Sequence, residues 1–290
     1  MAIEIRALTA LSELKVAVEL QTVYWGTSVE SLVPAQMMFT IIQSGGHVLA
    51  AFDGERMVGV LIGLLAASDT PARDYLNVYS KRMVVLPEYR GQGIAQDLKF
   101  KQLDCAIAQG INCIIWTYDP LLAVNAHFNI RKLGTTAHEY VINYYGQDVD
   151  EYGLSILGAS DRLIVQWNAD SPEVMDRVRQ QFVPKSLTEY IGEDTPILNL
   201  STIADGIPHP ADLNLSDNAQ VMLEIPRDFR GLANAYPHLA TKWRTQTRSL
   251  LTTYLCENGY AVVDFVNSEY KGLERAFYVL RKRDEHQLEG

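Results

Sequence analysis

Apolar and polar residues alternate from Ile3 to Leu8, and this period of two predicts a first strand. From Leu11 to Trp25 the apolar spacing becomes helical, and Gly26 stops it. Pro34 opens a second helix that ends at Gly45 and Gly46. His47 to Ala67 holds two apolar runs around Asp53-Gly54-Glu55, the pattern of a hairpin. Tyr75 to Leu86 reads as a longer strand, and Ile94 to Gln109 as a helix. "INCIIWTYD" is a buried strand ended by Pro120. "AVNAHFNIRKLG" is a short helix closed by Gly134, and "AHEYVINYYG" is a strand ended by Gly146. Alternating strands and helices of this kind make one α/β unit.

A turn-rich, acidic stretch from Gly146 to Asp161 follows, and it suggests a division into residues 1–150 and 151–290. Beyond it, "RLIVQWNA" and "AQVMLEIP" read as strands. The Pro-rich stretch from Thr195 to Asn218 reads as a loop with short strands. Pro237 starts a long helix with Leu239, Trp243, Leu250, Tyr254 and Leu255 on one face. "YAVVDFV" and "RAFYVLR" form a final hairpin. Strand, long helix and strand thus occur in both halves, so the second half reads as a C-terminal α/β region and a candidate degenerate relative of the first.

With 290 residues, 48% of them hydrophobic, the chain can bury a sizeable core. A formal net charge of −10 argues against a general nucleic-acid binder or an anionic-membrane binder. Cys105, Cys113 and Cys256 form no CxxC pair and read as small buried residues in a reducing compartment. The start "MAIEIRALTA" lacks a basic segment before an apolar one, and no window reaches the roughly 18 apolar residues of a membrane span. A cytoplasmic protein is expected. His47, His138, His209 and His238 are scattered, with no carboxylate partner at metal spacing, and no metal is expected.

The most informative stretch is "VVLPEYRGQGIAQDL", Val84 to Leu98. Two glycines stand at the mouth of a helix, directly after a strand and a proline. Glycine lets backbone N–H groups approach a ligand, and a helix N-terminus offers unpaired donors and partial positive charge. The combination suits an anion, phosphate above all. A P-loop needs G-x-x-x-x-G-K-[ST], which the sequence lacks. A dinucleotide fingerprint needs a third glycine where Gln96 stands, although Asp119 does end the next strand.

"RGQGIA" is similar to the R/Q-x-x-G-x-G/A pyrophosphate loop of the GNAT-type acyltransferases, which bind acyl-CoA. The preceding "VVLPEY", the following helix, the strand "CIIWTYD" and the helix "NAHFNIRKLG" keep that family's order. The resemblance extends from Ile3 to about Gly146. It implies a mixed sheet with flanking helices. More narrowly, "WTYDPL", "NAHFNIRKLG", "NYYG" and "EIPRDF" resemble an uncharacterised branch with an extra C-terminal region.

The resemblance also implies roles. Backbone N–H groups of Arg90, Gly91, Gln92, Gly93, Ile94 and Ala95 would wrap the CoA pyrophosphate. Main chain at Met83, Val84 and Val85 would pair with pantetheine, and Asn125 would bind the same arm. Each has a plainer alternative: turn glycines, a solvated Arg90, and Asn125 as a helix cap. Family members often place a tyrosine four residues before the glycine that closes the fourth helix. Here that position is Ile130, which cannot protonate a thiolate. The strand from Met83 to Leu86 offers no carboxylate base either. The candidate catalytic groups are then Asp119, Tyr118 and Tyr145, with His127 and Tyr144 behind them. Asp119 could equally cap the next helix. Trp116 and Tyr118 could equally be core, and Asp148, Asp150 and Glu151 a solvated boundary.

The expectation is an acetyl-CoA-dependent N-acyltransferase acting on the amine of a small molecule, with Trp243, Arg227 and Arg230 walling the acceptor side. A CoA-binding protein without catalysis is the alternative, and Ile130 favours it. A dinucleotide-binding oxidoreductase stands third. The sequence fixes neither acceptor nor oligomeric state.

Overall fold

The computed structural model describes residues 3–27, 31–67, 76–146 and 155–283. They fall into two compact units. One comprises residues 1–116 with 168–171, and the other residues 117–167 with 172–290.

In the first unit the strands are β1 (Ile3–Ala7), β2 (His47–Asp53), β3 (Arg56–Ala67), β4 (Leu76–Val85) and the start of β5 (Cys113–Tyr118). They lie side by side in sequence order. The turn between β2 and β3 needs the positive φ of Gly54, +60°. β1 to β4 pair antiparallel, and β4 then pairs with β5 in parallel. That parallel ladder holds only two residue pairs, Val78↔Ile114 and Tyr79↔Ile115. The β3–β4 register shifts between Ile62 and Gly63, opposite Arg82 and Ser80, so Lys81 forms a bulge in β4.

Helices α1 (Leu11–Trp25), α2 (Ala35–Gln43) and α3 (Ile94–Ala108) cover this sheet. A core of Leu14, Met38, Val48, Leu49, Val60, Leu61, Leu98 and their neighbours is fully shielded from solvent. α3 buries Ile94, Leu98, Lys99, Gln102, Leu103 and Ala106, a helical stripe in which two members are polar.

In the second unit, β6 (Thr136–Val141) pairs antiparallel with β7 (Arg162–Asn168). The expected division at residue 150 therefore falls between two paired strands, in a stretch outside the described residues. Asp148, Asp150 and Glu151 lie there. β10 (Gln220–Ile225), β11 (Tyr260–Tyr270) and β12 (Leu273–Lys282) complete the order β7-β6-β11-β12-β10, and β8 (Thr202–Ala204) and β9 (Ile207–His209) form a separate pair. The long helix is α8 (Pro237–Leu251), continued by a π-turn at Thr252–Glu257. Leu239, Trp243, Leu250, Tyr254 and Leu255 are all buried, as their spacing requires.

β10 and β11 both run antiparallel to β12, which stands between them. In the first unit the two strands flanking α3 are direct neighbours. The second strand–helix–strand is thus built differently from the first.

Three departures concern elements. "AVNAHFNIRKLG" is one α-turn, α4 (Ala123–Ala126), that widens into a π-turn over His127–Lys132. Tyr144 and Tyr145 do not end a strand: β6 stops at Val141, and both tyrosines lie in the turn after it, ring against ring. Three short helices, α5 (Pro172–Val178), α6 (Leu187–Gly192) and α7 (Phe229–Ala235), occupy sequence not read as helix.

Candidate functional site

β4 ends at Val85, and Leu86 N–H still donates to Val58 O at 2.9 Å. Pro87 cannot extend the ladder, and one 3₁₀ turn, Pro87–Tyr89, carries the chain out of the sheet. Gly91 and Gly93 follow with φ of +78° and +88°, a region that a β-carbon disfavours. Gly93 is the N-cap of α3 and accepts the first helical bonds from Gln96 and Asp97. A β-carbon on either glycine would meet no atom within 4 Å. Nothing among the described residues crowds this side of the loop.

The side chains around the glycines fold away from the helix mouth. Arg90 Nε donates to Val85 O at 3.2 Å, and Gln92 Nε2 to Glu88 O at 3.1 Å. Arg56 pairs with Glu88 at 2.7 Å, and the Tyr89 hydroxyl donates to Asp53 at 2.8 Å. Ile94 is buried and anchors the first turn, while Ala95 packs at the edge of the core. The helix mouth therefore offers backbone N–H groups.

The edge of β4 facing β5 loses its partner after Tyr79. Met83, Val84 and Val85 pair with Leu61, Val60 and Gly59 on the other side. Along this edge, from Ser80 to Val85, no ladder pair with β5 forms among the described residues. An extended chain can dock on such an edge by β-type hydrogen bonds. Loop and edge are consecutive, so one elongated ligand with a phosphate end can use both.

At the narrow end of the parting lies a buried polar cluster that sequence reading missed. Lys99 Nζ donates to Ser80 Oγ at 2.8 Å and Gln102 Oε1 at 3.2 Å, and it stands 3.4 Å from the Trp116 ring centroid. Gln102 Nε2 meets His47 Nε2 at 2.9 Å. With Gln102 Oε1 accepting from Lys99, its amide must donate, which puts the histidine proton on Nδ1. Among the described residues His47 Nδ1 has no hydrogen-bond partner. Burial, helped by Lys99, pushes His47 down to about 4. Burial alone holds the Lys99 amine well below its ordinary value. The only sequence signal was two polar residues on the buried stripe of α3.

The second unit holds the catalytic candidates in tight partnerships. Arg244 grips both oxygens of Asp119, at 2.8 and 2.6 Å, and Leu121 N–H donates to Asp119 Oδ1 at 3.0 Å. A carboxylate so engaged is an anchor for α8 and a cap for the turn before α4. The Tyr118 hydroxyl lies 3.2 Å from that of Tyr278, which donates to Pro120 O at 2.7 Å. Burial, with the Asp119 charge against the Tyr278 bond, keeps the Tyr118 hydroxyl far above its ordinary range and protonated. Tyr145 is half-buried, with the Arg162 guanidinium 5.0 Å over its ring.

His127 Nδ1 lies 3.4 Å from Asn267 Nδ2, and burial lowers its basicity. Asn125 is half-buried on α4 and is not the cap, since that position is Leu122. Ile130 is fully buried in the π-turn. Trp243 is fully buried too, its Nε1 donating to Pro208 O at 3.0 Å, so it is core of the second unit and walls no open site. Arg227 pairs with Glu274 at the surface. Among the described residues no group of three or more His, Cys, Asp and Glu is placed to hold a metal, and no helix is long and apolar enough to cross a membrane.

Comparison with known proteins gives a family match whose span includes the glycine loop. The family model described as acetyltransferase (GNAT) family matches residues 17–135. No protein of curated function matches the sequence significantly. Among solved structures, the ribosomal-protein-S18-alanine N-acetyltransferase of Escherichia coli is 15% identical, with a TM-score of 0.45 over 59% of this chain and 96% of that one. A putative acetyltransferase of Salmonella typhimurium, solved with acetyl-CoA, is 16% identical, with a TM-score of 0.44 over 59% and 96%. Naa50 of Arabidopsis thaliana, bound to a bisubstrate analogue, is 18% identical, with a TM-score of 0.43 over 57% and 98%. At these values the likenesses transfer no substrate and no residue role. From the family match, the mixed α/β fold and the glycine loop, the chain carries a GNAT acetyltransferase domain at residues 17–135, with a further C-terminal region.

Proposed function

We propose that the protein transfers an acetyl or other short acyl group from CoA to the amine of a small-molecule acceptor. The observation that carries this reading is the open left-handed loop at Gly91 and Gly93, continuous with the part of β4 that lies beyond its last ladder pair with β5 among the described residues. The backbone N–H groups of residues 90–95 bind the CoA diphosphate at the start of α3. Main chain at Met83, Val84 and Val85 pairs with pantetheine, and Asn125 assists. The amine, once deprotonated, attacks the thioester carbonyl, the carbon–sulfur bond breaks, and the sulfur leaves as thiolate. Positioning and a backbone donor to the carbonyl oxygen do most of the catalytic work. Of the candidate acids and bases, Tyr145 and His127 are the least committed to structural partners. Residues 1–150 are read as the acyl-CoA-binding part and 151–290 as a second α/β region.

A CoA-binding protein without catalysis is the second reading. Ile130 in place of the expected tyrosine, and the engagement of Asp119 and Tyr118 in fixed partnerships, favour it. Turnover of acetyl-CoA across amines, amino acids and small metabolites separates the two.

The CoA site itself is tested at Gly93. Gly93→Val strains a left-handed residue and places branched carbon over the loop, in space that the protein leaves open. The native protein should gain about 2.7 kcal/mol from acetyl-CoA at 100 times Kd. The variant should gain almost none while folding normally. Equal stabilisation of both proteins in a thermal melt would remove the assignment.

A further inference from the structure

Glycine loses more freedom on ordering than any other residue, so Gly91 and Gly93 make the loop before α3 costly to order. A ligand escapes that cost only where the loop is held in its binding shape beforehand. A β-carbon on either glycine would meet no described atom within 4 Å, so the hold has to come from other loop residues. Four hydrogen bonds do part of this: Tyr89 N–H to Leu86 O, Arg90 N–H to Pro87 O, Arg90 Nε to Val85 O and Gln92 Nε2 to Glu88 O. They curl the loop onto itself and the end of β4, and tie it to no other strand.

Two consecutive side chains, Glu88 and Tyr89, make the ties to a distant element, and both reach the β2–β3 turn. Glu88 accepts from Arg56 at 2.7 Å, and the Tyr89 hydroxyl donates to Asp53 Oδ2 at 2.8 Å. Asp53 and Arg56 face each other in register across that turn. The Arg56 guanidinium lies 5.6 Å over the Tyr89 ring, so the four side chains form one clasp. Its halves are unequal. Arg56 and Glu88 are 59% and 51% exposed, and an ion pair in that much water holds little. The Tyr89 ring, in contrast, packs against the core of the first unit. Asp53 Oδ1 is shut off from water and has no partner among the described residues. The Tyr89 hydroxyl is therefore the group that holds the Asp53 carboxylate.

The turn itself has no need of that carboxylate. Gly54 supplies the positive φ, and Asp53 stands before it as the last residue of β2. Anion binding is not served by it either. A negative charge tied to Tyr89, two positions before Gly91, opposes a diphosphate on the loop. Its hold on the loop accounts for it. We infer that Asp53, acting through Tyr89, is a positioning residue for CoA: it fixes the diphosphate loop in its binding geometry from the β2–β3 turn. This rests on the CoA reading given above and deepens it.

The apparent affinity of a site falls with the fraction of time it spends in its binding geometry. A loop that is competent about a tenth of the time binds about tenfold more weakly. Tyr89→Phe keeps the ring and removes the tie. Asp53→Ala removes the other half and strands no charge. In calorimetric titration of the full chain, each should bind CoA and acetyl-CoA about tenfold more weakly than the native protein. The double variant should be no weaker than either single one, since both remove the same bond. Asp53→Asn, whose amide can still meet the hydroxyl, should recover most of the affinity. Amide hydrogen exchange in the free single variants should quicken over residues 86–96 and stay native elsewhere. Native affinity in both single variants overturns the inference and leaves the CoA reading intact. Losses that add in the double variant overturn it, and so does faster exchange throughout the first unit. If the native protein binds no CoA species, the proposed function falls and takes the inference with it.

Discussion

Arg244 donates two hydrogen bonds to Asp119 in a setting that is closed to water on both sides, the aspartate 5% and the arginine 7% exposed at the side chains. Burial of such a pair is no proof of net stabilisation, but breaking it leaves one charge stranded. Asp119→Asn should therefore cost on the order of 3–5 kcal/mol, read as a lowered urea midpoint at unchanged slope. Replacing Asp119 by Leu and Arg244 by Met together should cost less than the two single changes summed. The aspartate was legible as a residue of consequence from its place at a strand end. Its partner was not, because 125 positions separate it from Arg244 and nothing in local pattern reports that pairing. His47 gives a pH dependence of defined sign. It stays neutral in the folded protein down to about pH 4, while in the unfolded chain it takes a proton near 6.5. Between those values the unfolded state holds more protons, so stability is full above about 6.5 and falls as pH drops toward 4. The loss is on the order of 3 kcal/mol by this group. His47→Gln should flatten that part of the profile, measured as urea midpoints from pH 7 to pH 4.

At the scale of elements, strands and long helices were legible because each buries one face, and period then reports geometry directly. The short helices were not. α6 spans six residues, too few for periodicity, yet Ser186 and Glu189 form a complete capping box that a search for that spacing would have found. α5 opens with Pro172 at its first position, another overlooked signal. The π-turn at His127–Lys132 has no such signature; the wide turn places one extra residue between Ala126 and Gly134 without changing the apolar count. The backbone turn of the glycine loop was legible, since φ of +78° and +88° strongly favours glycine. The polar notch under β4 was not, because His47, Gly63, Ser80, Lys99 and Gln102 come from four elements. Gly63→Ala tests how tightly that notch is built. The added methyl would meet His47 and Gln102 with no room to move, and overpacking of this kind typically costs about 1–3 kcal/mol. An unchanged melting temperature would show that the notch is looser than its contacts suggest.

At the scale of the whole chain, β7 and the three residues after it decide what can be cut. β7 pairs with β6, and residues 168–171 belong to the first unit, where Ala169 N–H donates to Asn112 O at 2.7 Å. A fragment of residues 1–150 lacks both. It should be poorly soluble and melt without cooperativity in size-exclusion and thermal assays. A monomeric fragment with a sharp melt would show that the first 150 residues are self-sufficient. The same layout sets a schedule for synthesis. The first unit is written in two instalments, and about fifty residues must be translated between Trp116 and the return at Asn168. At roughly 5–20 residues per second that interval lasts several seconds. During it, the nascent chain carries an almost complete first-unit sheet still waiting for its last tie. Ribosome-bound chains arrested before Asn168 should stay open to protease in residues 1–116, and those arrested well beyond Ser171 should close.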